Sequence, residues 1–137
     1  MSFDLYDQNS GLDTDDTTEF SRKAILFEES DVNRLVHDHK ERLNHFSAKA
    51  LMYFVLREFK HDVATEVEIV NVGVCDLYDI STKVIYEFET AGSKKVQRRV
   101  NEIYKHTGNE IIVVDVKELP DDIFQRYMKL KEYVIPD

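Results

Sequence analysis

Tryptophan is absent from this sequence, and cysteine, glycine and proline are scarce. Cys75 is the only cysteine, which excludes an intramolecular disulfide and a zinc site built on a cysteine pair. Because Cys75 lies in an apolar run, we predict a small buried side chain rather than a nucleophile. Only 4 glycines and 2 prolines accompany 8 Phe and 7 Tyr among the 137 residues, a composition that argues against a disordered or low-complexity chain.

Long hydrophobic runs and common cofactor motifs are also missing. No stretch approaches the roughly 18 apolar residues of a membrane-spanning helix, and the first residues lack the basic and apolar regions of a signal peptide. We therefore expect a soluble cytoplasmic protein without membrane contact. The sequence has no P-loop, GxGxxG, CxxC or Ser-His-Asp order, so hydride transfer and ATP chemistry have no support.

Negative charge is concentrated at the start of the chain. The net charge is −9, and the first twenty residues carry six acids and no Lys or Arg, which leaves −3 for the remainder. We predict an acidic flexible leader over residues 1–18. Residues 19–137 are predicted to form a single domain, since 42 % hydrophobic content in a chain of this length supports one core. The near balance of charge beyond the leader is compatible with a polyanionic partner.

Hydrophobic periodicity predicts the order helix, three strands, helix, strand, helix, which is an α/β fold with a mixed sheet flanked by helices. The first helix is predicted over residues 30–62, with its second half buried against the sheet and a break at residues 40–44 as the alternative. Residues 20–29 fit either a helical turn or a strand. The later elements are a helix capped by Ser93 and ended by Gly108, a doubly buried strand over residues 110–116, and a helix over residues 121–133.

Both later helices are amphipathic. The residues predicted to face the core are Val96, Val100, Ile103 and Tyr104 in the first, and Ile123, Tyr127 and Leu130 in the second.

Acidic residues crowd the stretch over residues 73–90, whose pattern indicates a hairpin with a turn at residues 81–83. Asp76 ends the apolar run of the first strand. Glu87 and Glu89 lie two apart in the second strand, so they are predicted to project to one face. Carboxylates gathered on one face repel each other unless a cation lies between them, and Mg²⁺ or Mn²⁺ with oxygen ligands is the usual solution.

Three residues outside the hairpin are further candidates for this site. Glu66 opens the preceding β-rich run and either turns toward the acids or lines an exposed strand edge. His45 and Lys49 lie four apart on one face of the first helix. Lys49 either holds a carboxylate at the site or extends to solvent along the helix surface.

The remaining histidines, His37, His39 and His61, are predicted to lie on the surface. A zinc site is disfavoured because the His37-x-His39 spacing points the two rings to different helical faces.

Four bases follow the acidic strand, on the side of their helix away from the apolar stripe. Their place in the chain favours binding of phosphates or nucleic acid with salt-dependent affinity, and the alternative is a solvated helix face. They are Lys94, Lys95, Arg98 and Arg99.

This combination of elements and acids resembles the PD-(D/E)xK nuclease superfamily, the restriction-endonuclease-like fold with an αβββαβ core. The similarity covers residues 42–119. It implies that Asp76 and Glu87 are the metal-binding acids of the two half-motifs, and that Glu66 is an additional strand acid. His45 and Lys49 are similar to a His-x-x-x-Lys pattern on the leading helix of some branches.

The sequence departs from that family at Glu89, where the second half-motif usually carries Lys. Some restriction enzymes of the superfamily use Glu-x-Glu, and a lysine from another element can substitute; Lys49, Lys94 and Lys95 are the candidates. The resemblance implies an endonuclease that hydrolyses DNA with Mg²⁺ or Mn²⁺, with Glu89 or Lys49 as the general base.

Two other interpretations stay open at this point. The first is a catalytically inactive nuclease-fold protein that binds nucleic acid or a protein partner, which Glu89 in place of Lys favours. The second is a homodimer formed through the C-terminal helix, which is compatible with a nuclease. The interface residues would be Ile123, Phe124, Tyr127, Leu130 and Tyr133.

Overall fold

The computed structural model describes residues 24–89 and 94–134, which form a five-stranded mixed sheet flanked by three α-helices. The predicted leader and the Ser93 cap lie outside the described residues. Short 3-10 turns cover Glu29–Asp31 and Val116–Glu118. The strands are β1 (Ile25–Leu26), β2 (Val63–Ile69), β3 (Gly73–Asp79), β4 (Val84–Glu89) and β5 (Glu110–Asp115), and the helices are α1 (Leu43–Glu58), α2 (Lys94–Thr107) and α3 (Ile123–Lys131).

The order of the strands in the sheet follows the chain from β1 to β5. Strands β1 to β4 pair antiparallel, and β5 pairs parallel with β4. A parallel pair needs a crossover connection, and α2 supplies it. The predicted α/β class, the predicted order of elements and the hairpin turn at residues 81–83 are confirmed.

Apolar side chains fill a core on each face of the sheet. The α1-side core contains Met52 of α1 and residues of α3, and the α2-side core contains Ile103 of α2 and residues of β1. Neighbouring residues of β4 serve opposite cores, as Ile85 and Tyr86 do. Cys75 is fully buried in the α2-side core, which confirms the predicted buried side chain.

The first helix is shorter than predicted, because it begins at Leu43 after an irregular segment. Asn33 has a φ of 57°, outside the helical range, and its side chain accepts the Val63 N–H at 2.9 Å. The Val36 N–H donates to Thr65 Oγ1 at 2.9 Å. Thr65 of β2 thus takes the Val36 N–H that a helix through this segment would use for itself.

Burial differs from the prediction at several positions. Ile123, in the first turn of α3, is 68 % exposed, and Tyr104 of α2 is 61 % exposed. The strand β5, predicted to be buried on both faces, is the outer strand of the sheet, and only Val114 in it is buried. His61 was predicted on the surface but is buried, and its Nδ1 has a polar partner there, Asp79 Oδ2 at 2.8 Å.

The ends of the two later helices follow local sequence signals. Gly108 follows the last residue of α2 with a φ of 69°, a left-handed conformation that glycine adopts without penalty. Asp122 precedes α3, and its carboxylate accepts the Gln125 N–H at 2.9 Å. No helix in the described ranges has the length and apolar character needed to cross a membrane.

Candidate functional site

A cleft of about 540 Å³ opens between the start of α1, the strands β2 to β4 and the turn after β5. Because these segments are far apart in the chain, only the fold brings their side chains together. Four of the six predicted catalytic or metal-binding residues line the cleft: His45, Glu66, Asp76 and Glu89. The other two, Lys49 and Glu87, are not among the lining residues.

Glu66 and Asp76 stand opposite each other in the centre of the sheet. The neighbouring pair, Val67 with Cys75, places the two acids on one rung between β2 and β3. Glu66 has a φ of 53°, a left-handed conformation that few non-glycine residues adopt. Backbone strain of this kind persists only where the surrounding contacts enforce it, and it occurs preferentially at functional sites.

Both strands change faces at this rung. Strict alternation would place Ala64 and Val67, three residues apart, on opposite faces of β2, yet both belong to the α2-side core. Cys75 and Tyr78 show the same relationship in β3. The change of face leaves both acids free to contact α1, and each does so through its side chain.

The ladder between β3 and β4 opens beside the same rung. Its last paired residues are Leu77 and Tyr86. Beyond them, the Asp76 N–H donates to Glu87 Oε2 at 2.8 Å, and the Phe88 N–H donates to Asp76 Oδ2 at 2.8 Å. The two carboxylates thus accept backbone donors that strand pairing would otherwise satisfy, which fixes both carboxylates in the opening.

His45 bridges two carboxylates at the edge of the cleft. Its Nε2 lies 3.1 Å from Asp76 Oδ2, and its Nδ1 is hydrogen-bonded to Glu41 Oε2. The hydrogen bond to Asp76 and, to a smaller extent, the contacts with Glu41 raise the pKa of His45 from 6.5 to about 9, although burial opposes the shift. The imidazole is therefore positively charged at neutral pH.

Lys49 is fully buried beneath the cleft. Its Nζ donates to Val36 O at 2.7 Å, to Glu41 Oε1 at 2.9 Å and to Glu66 Oε2 at 3.0 Å. The alternative of a lysine extended to solvent is therefore wrong. Burial raises the pKa of Glu66, and the contact with Lys49 opposes that shift.

Glu87 lies on the α2 side of the opening and is almost fully buried. Burial and the charge of Asp76 raise the pKa of Glu87 to about 7, and Arg99 opposes the shift with its Nε 2.5 Å from Glu87 Oε1. Arg99 also donates to Val74 O. The prediction that Arg99 belongs to the outward basic face of its helix is therefore wrong, since it compensates a buried acid.

The other predicted bases, Lys94, Lys95 and Arg98, are exposed on α2. None of them lines the cleft, because α2 packs on the opposite face of the sheet from α1. Lys95 and Arg98 instead border a separate depression of about 620 Å³ beside Asn71, in the turn between β2 and β3.

The sequence interpretation missed several residues of the cleft. Glu41 contacts both His45 and Lys49, and its spacing of four and eight residues from them was the signal that pointed to it. Lys40, Arg42 and Lys117 also line the cleft. Lys117 gave no sequence signal, since it follows β5 far along the chain.

Oxygen donors suited to a hard cation are present, because Glu66, Asp76 and Glu89 line the same cleft. Within residues 24–89 and 94–134, no group of three or more His, Cys, Asp or Glu side chains is spaced to hold a metal ion. The positive charges between these acids come from His45 and Lys49.

No protein-family model, curated protein or solved structure matches this chain.

Proposed function

We propose that the cleft is the active site of a metal-dependent nuclease that hydrolyses phosphodiester bonds in DNA. The observation that carries this proposal is the meeting of Glu66 and Asp76 on one rung, directly where the β3–β4 ladder opens at Glu87. Burying acids at one point of a sheet costs stability unless they are paired, and clustered acids with raised pKa values beside a cleft are typical of functional sites.

The topology supports the same proposal. Helix α1, the antiparallel strands β2 to β4, the crossover helix α2 and the parallel strand β5 follow the αβββαβ order of the PD-(D/E)xK core. Asp76 lies on β3 and Glu87 on β4, and the resemblance assigns the two half-motifs to these residues. This agreement of element order with acid position is more specific than either feature alone.

The donor set of the cleft fits Mg²⁺ or Mn²⁺ by its chemistry, since all its candidate ligands are carboxylate oxygens. Glu66 Oε1 and Asp76 Oδ1 accept no hydrogen bond from any residue that the structure describes, so each acid keeps one oxygen available. Asp76 and Glu66 would hold the ion. Glu87 does not line the cleft and both of its oxygens are bonded, to Arg99 and to the Asp76 N–H, so it would act by positioning Asp76. A bound ion would supply an activated water and neutralise charge on the phosphate.

The surrounding residues would position the acids and supply the general base. His45 and Lys49 hold Asp76 and Glu66 in position through charged hydrogen bonds. Lys49 is fully buried with three acceptors, so it is not available to take a proton from water. Glu89 lines the cleft, which makes it the better candidate for the general base.

The direct test is nicking of supercoiled plasmid and of branched DNA with Mg²⁺ or Mn²⁺. We expect cleavage by the wild type and at least about a 100-fold loss in Asp76→Asn and in Glu87→Gln, the scale at which an essential charged group contributes. Glu68→Gln, an exposed acid on β2, is the matched control and should cleave normally. Full cleavage by both Asp76→Asn and Glu87→Gln would rule out this mechanism.

A second candidate function is a nuclease-fold protein that binds nucleic acid without cleaving it. The observation that favours it is the internal charge compensation, since Lys49 pairs with Glu66 and Arg99 pairs with Glu87. Calorimetric titration separates the two functions. Absence of Mg²⁺ and Mn²⁺ binding at millimolar concentration, with DNA binding retained, would favour the non-catalytic protein.

The homodimer through the C-terminal helix stays a prediction. Leu130 is fully buried in the α1-side core, so it is not available to a partner, whereas Ile123 and Phe124 are exposed. Light scattering of the full chain would measure the oligomeric state.

A further inference from the structure

We infer that Lys40, Arg42 and Lys117 bind the sugar–phosphate backbone of the nucleic acid at the cleft. The inference rests on the proposed function, because it names the surface that seats the substrate. It differs from the sequence prediction, which assigned that role to bases on α2.

The three cations reach the cleft from two places in the fold that are far apart in the chain. Lys40 lies in the segment before α1, Arg42 immediately precedes the first residue of α1, and Lys117 lies in the 3-10 turn after β5. All three line the cleft together with Asp76 and Glu89. The fold therefore places separate positive charges around the proposed reaction centre.

These cations are not committed to internal partners. Each of them is exposed, and none forms an ion pair with a carboxylate among the described residues. Lys49 and Arg99, by contrast, are both paired with acids near the cleft. Exposed, unpaired cations can meet a phosphate without breaking a contact of the folded protein.

The acids of the cleft make such cations necessary for a polyanionic ligand. A phosphodiester chain approaching these carboxylates is repelled wherever no positive charge faces it. The acids that line the cleft are Asp38, Glu41, Glu66, Asp76 and Glu89. Lys40, Arg42 and Lys117 offset this repulsion on the surface that the ligand must contact.

The α2 bases provide a matched comparison, because Lys94, Lys95 and Arg98 are also three exposed cations, located on the opposite side of the sheet. The Lys40→Gln/Arg42→Gln/Lys117→Gln variant and the Lys94→Gln/Lys95→Gln/Arg98→Gln variant remove the same charge. Any difference between them therefore reports position rather than net charge.

The experiment measures binding of the full chain to fluorescein-labelled duplex and branched DNA by anisotropy, in EDTA and at several NaCl concentrations. Circular dichroism and thermal melting verify that both triple variants are folded. We expect the cleft variant to lose roughly 10-fold or more in affinity and to lower the salt slope by about 2 to 3, since each phosphate contact contributes about 0.9 to that slope. The α2 variant should stay near wild type.

Unchanged affinity of the cleft variant, a larger loss in the α2 variant, or no binding of DNA by the wild type would each overturn the inference. Cleavage assays with Mg²⁺ keep it separate from the proposed activity. If the wild type cleaves DNA and the cleft variant binds and cleaves equally well, the inference fails and the nuclease stands. If the wild type does not cleave but the cleft variant loses affinity, the inference stands and the nuclease fails.

Discussion

The ammonium group of Lys49 lies 3.0 Å from the carboxylate of Glu66, and the same ammonium group contacts Glu41 at 2.9 Å. Glu41 in turn contacts His45, which contacts Asp76. Negative and positive side chains therefore alternate along one continuous chain of contacts in the wall of the cleft, in which only Lys49 is not a lining residue. Its two cations come from successive turns of α1, so the helix holds the acids of two strands.

Removing the charge of Lys49 is expected to destabilise the fold strongly. Lys49→Met keeps the length of the side chain but leaves the acids Glu41 and Glu66 without their shared cation. We expect a loss of about 3 to 5 kcal/mol in the free energy of unfolding, the scale for breaking a buried ion pair. Urea denaturation measures it, and adding Glu66→Gln should restore part of the loss.

Lys105→Met is the control for this prediction, because Lys105 is exposed on α2. It should change the free energy of unfolding by less than about 0.5 kcal/mol. A Lys49→Met protein as stable as the control would show that the buried contacts contribute little.

The charge of His45 predicts a pH dependence of stability in metal-free protein. The folded-state pKa of His45 is about 9 against an ordinary 6.5, so protonation favours the folded state. This contribution is fully present below pH 6.5 and is lost as the pH rises through 9. Thermal melting in EDTA across that window should show falling stability, and His45→Gln should remove this part of the fall.

Glu87 provides a separate window for the same measurement. The pKa of Glu87 is raised to about 7 from an ordinary 4.5, so the protonated carboxyl favours the folded state. This contribution to stability is present at low pH and is lost as the pH rises from 4.5 through 7. A stability profile that is identical in His45→Gln and wild type above pH 7 would contradict the assignment to His45.

Divalent cations are expected to stabilise the wild type against thermal unfolding. Binding to the folded state alone adds about 1.4 kcal/mol when the metal concentration is ten times its Kd. Differential scanning fluorimetry with Mg²⁺ and with Mn²⁺ should show this gain in the wild type and in Glu68→Gln. The gain should disappear in Asp76→Asn, and an equal gain in that variant would place the metal elsewhere.

Cys75 is expected to be unreactive in the folded protein. Burial, with the charges of Glu87 and Asp76 adding to it, raises the pKa of the Cys75 thiol well above its usual range. A thiol reagent such as Ellman's should therefore label the native protein no faster than the protein unfolds, and should label it at once in urea. Rapid labelling under native conditions would contradict the buried position.

The parts of the fold that follow from local sequence were predicted well. The hairpin turn at residues 81–83 and the end of α2 at Gly108 depend on residues adjacent in the chain. The start of α1 was not predicted, because Asn33 and Val36 take partners in β2. Helical periodicity records local spacing and carries no information on such distant competition.

The candidate site shows the same division. Glu66, Asp76, His45 and Lys49 were candidates for one site, with a strand edge as the alternative for Glu66 and solvent as the alternative for Lys49. The structure shows His45 in contact with Asp76 and Lys49 in contact with Glu66. The direction of Arg99 was not predicted, because its inward turn depends on the opening of the β3–β4 ladder. Helical spacing on α2 alone does not contain that information.

The change of face at Glu66 and Asp76 also bears on how the chain folds. Both strands of the β2–β3 hairpin interrupt their alternation on the same rung. A slip of one residue between them would separate the two interruptions and turn side chains of one strand toward the wrong face of the sheet. We therefore expect misaligned β2–β3 hairpins to be less stable than the native one during folding. The rung that carries the acids of the cleft would thus also fix the register of these two strands.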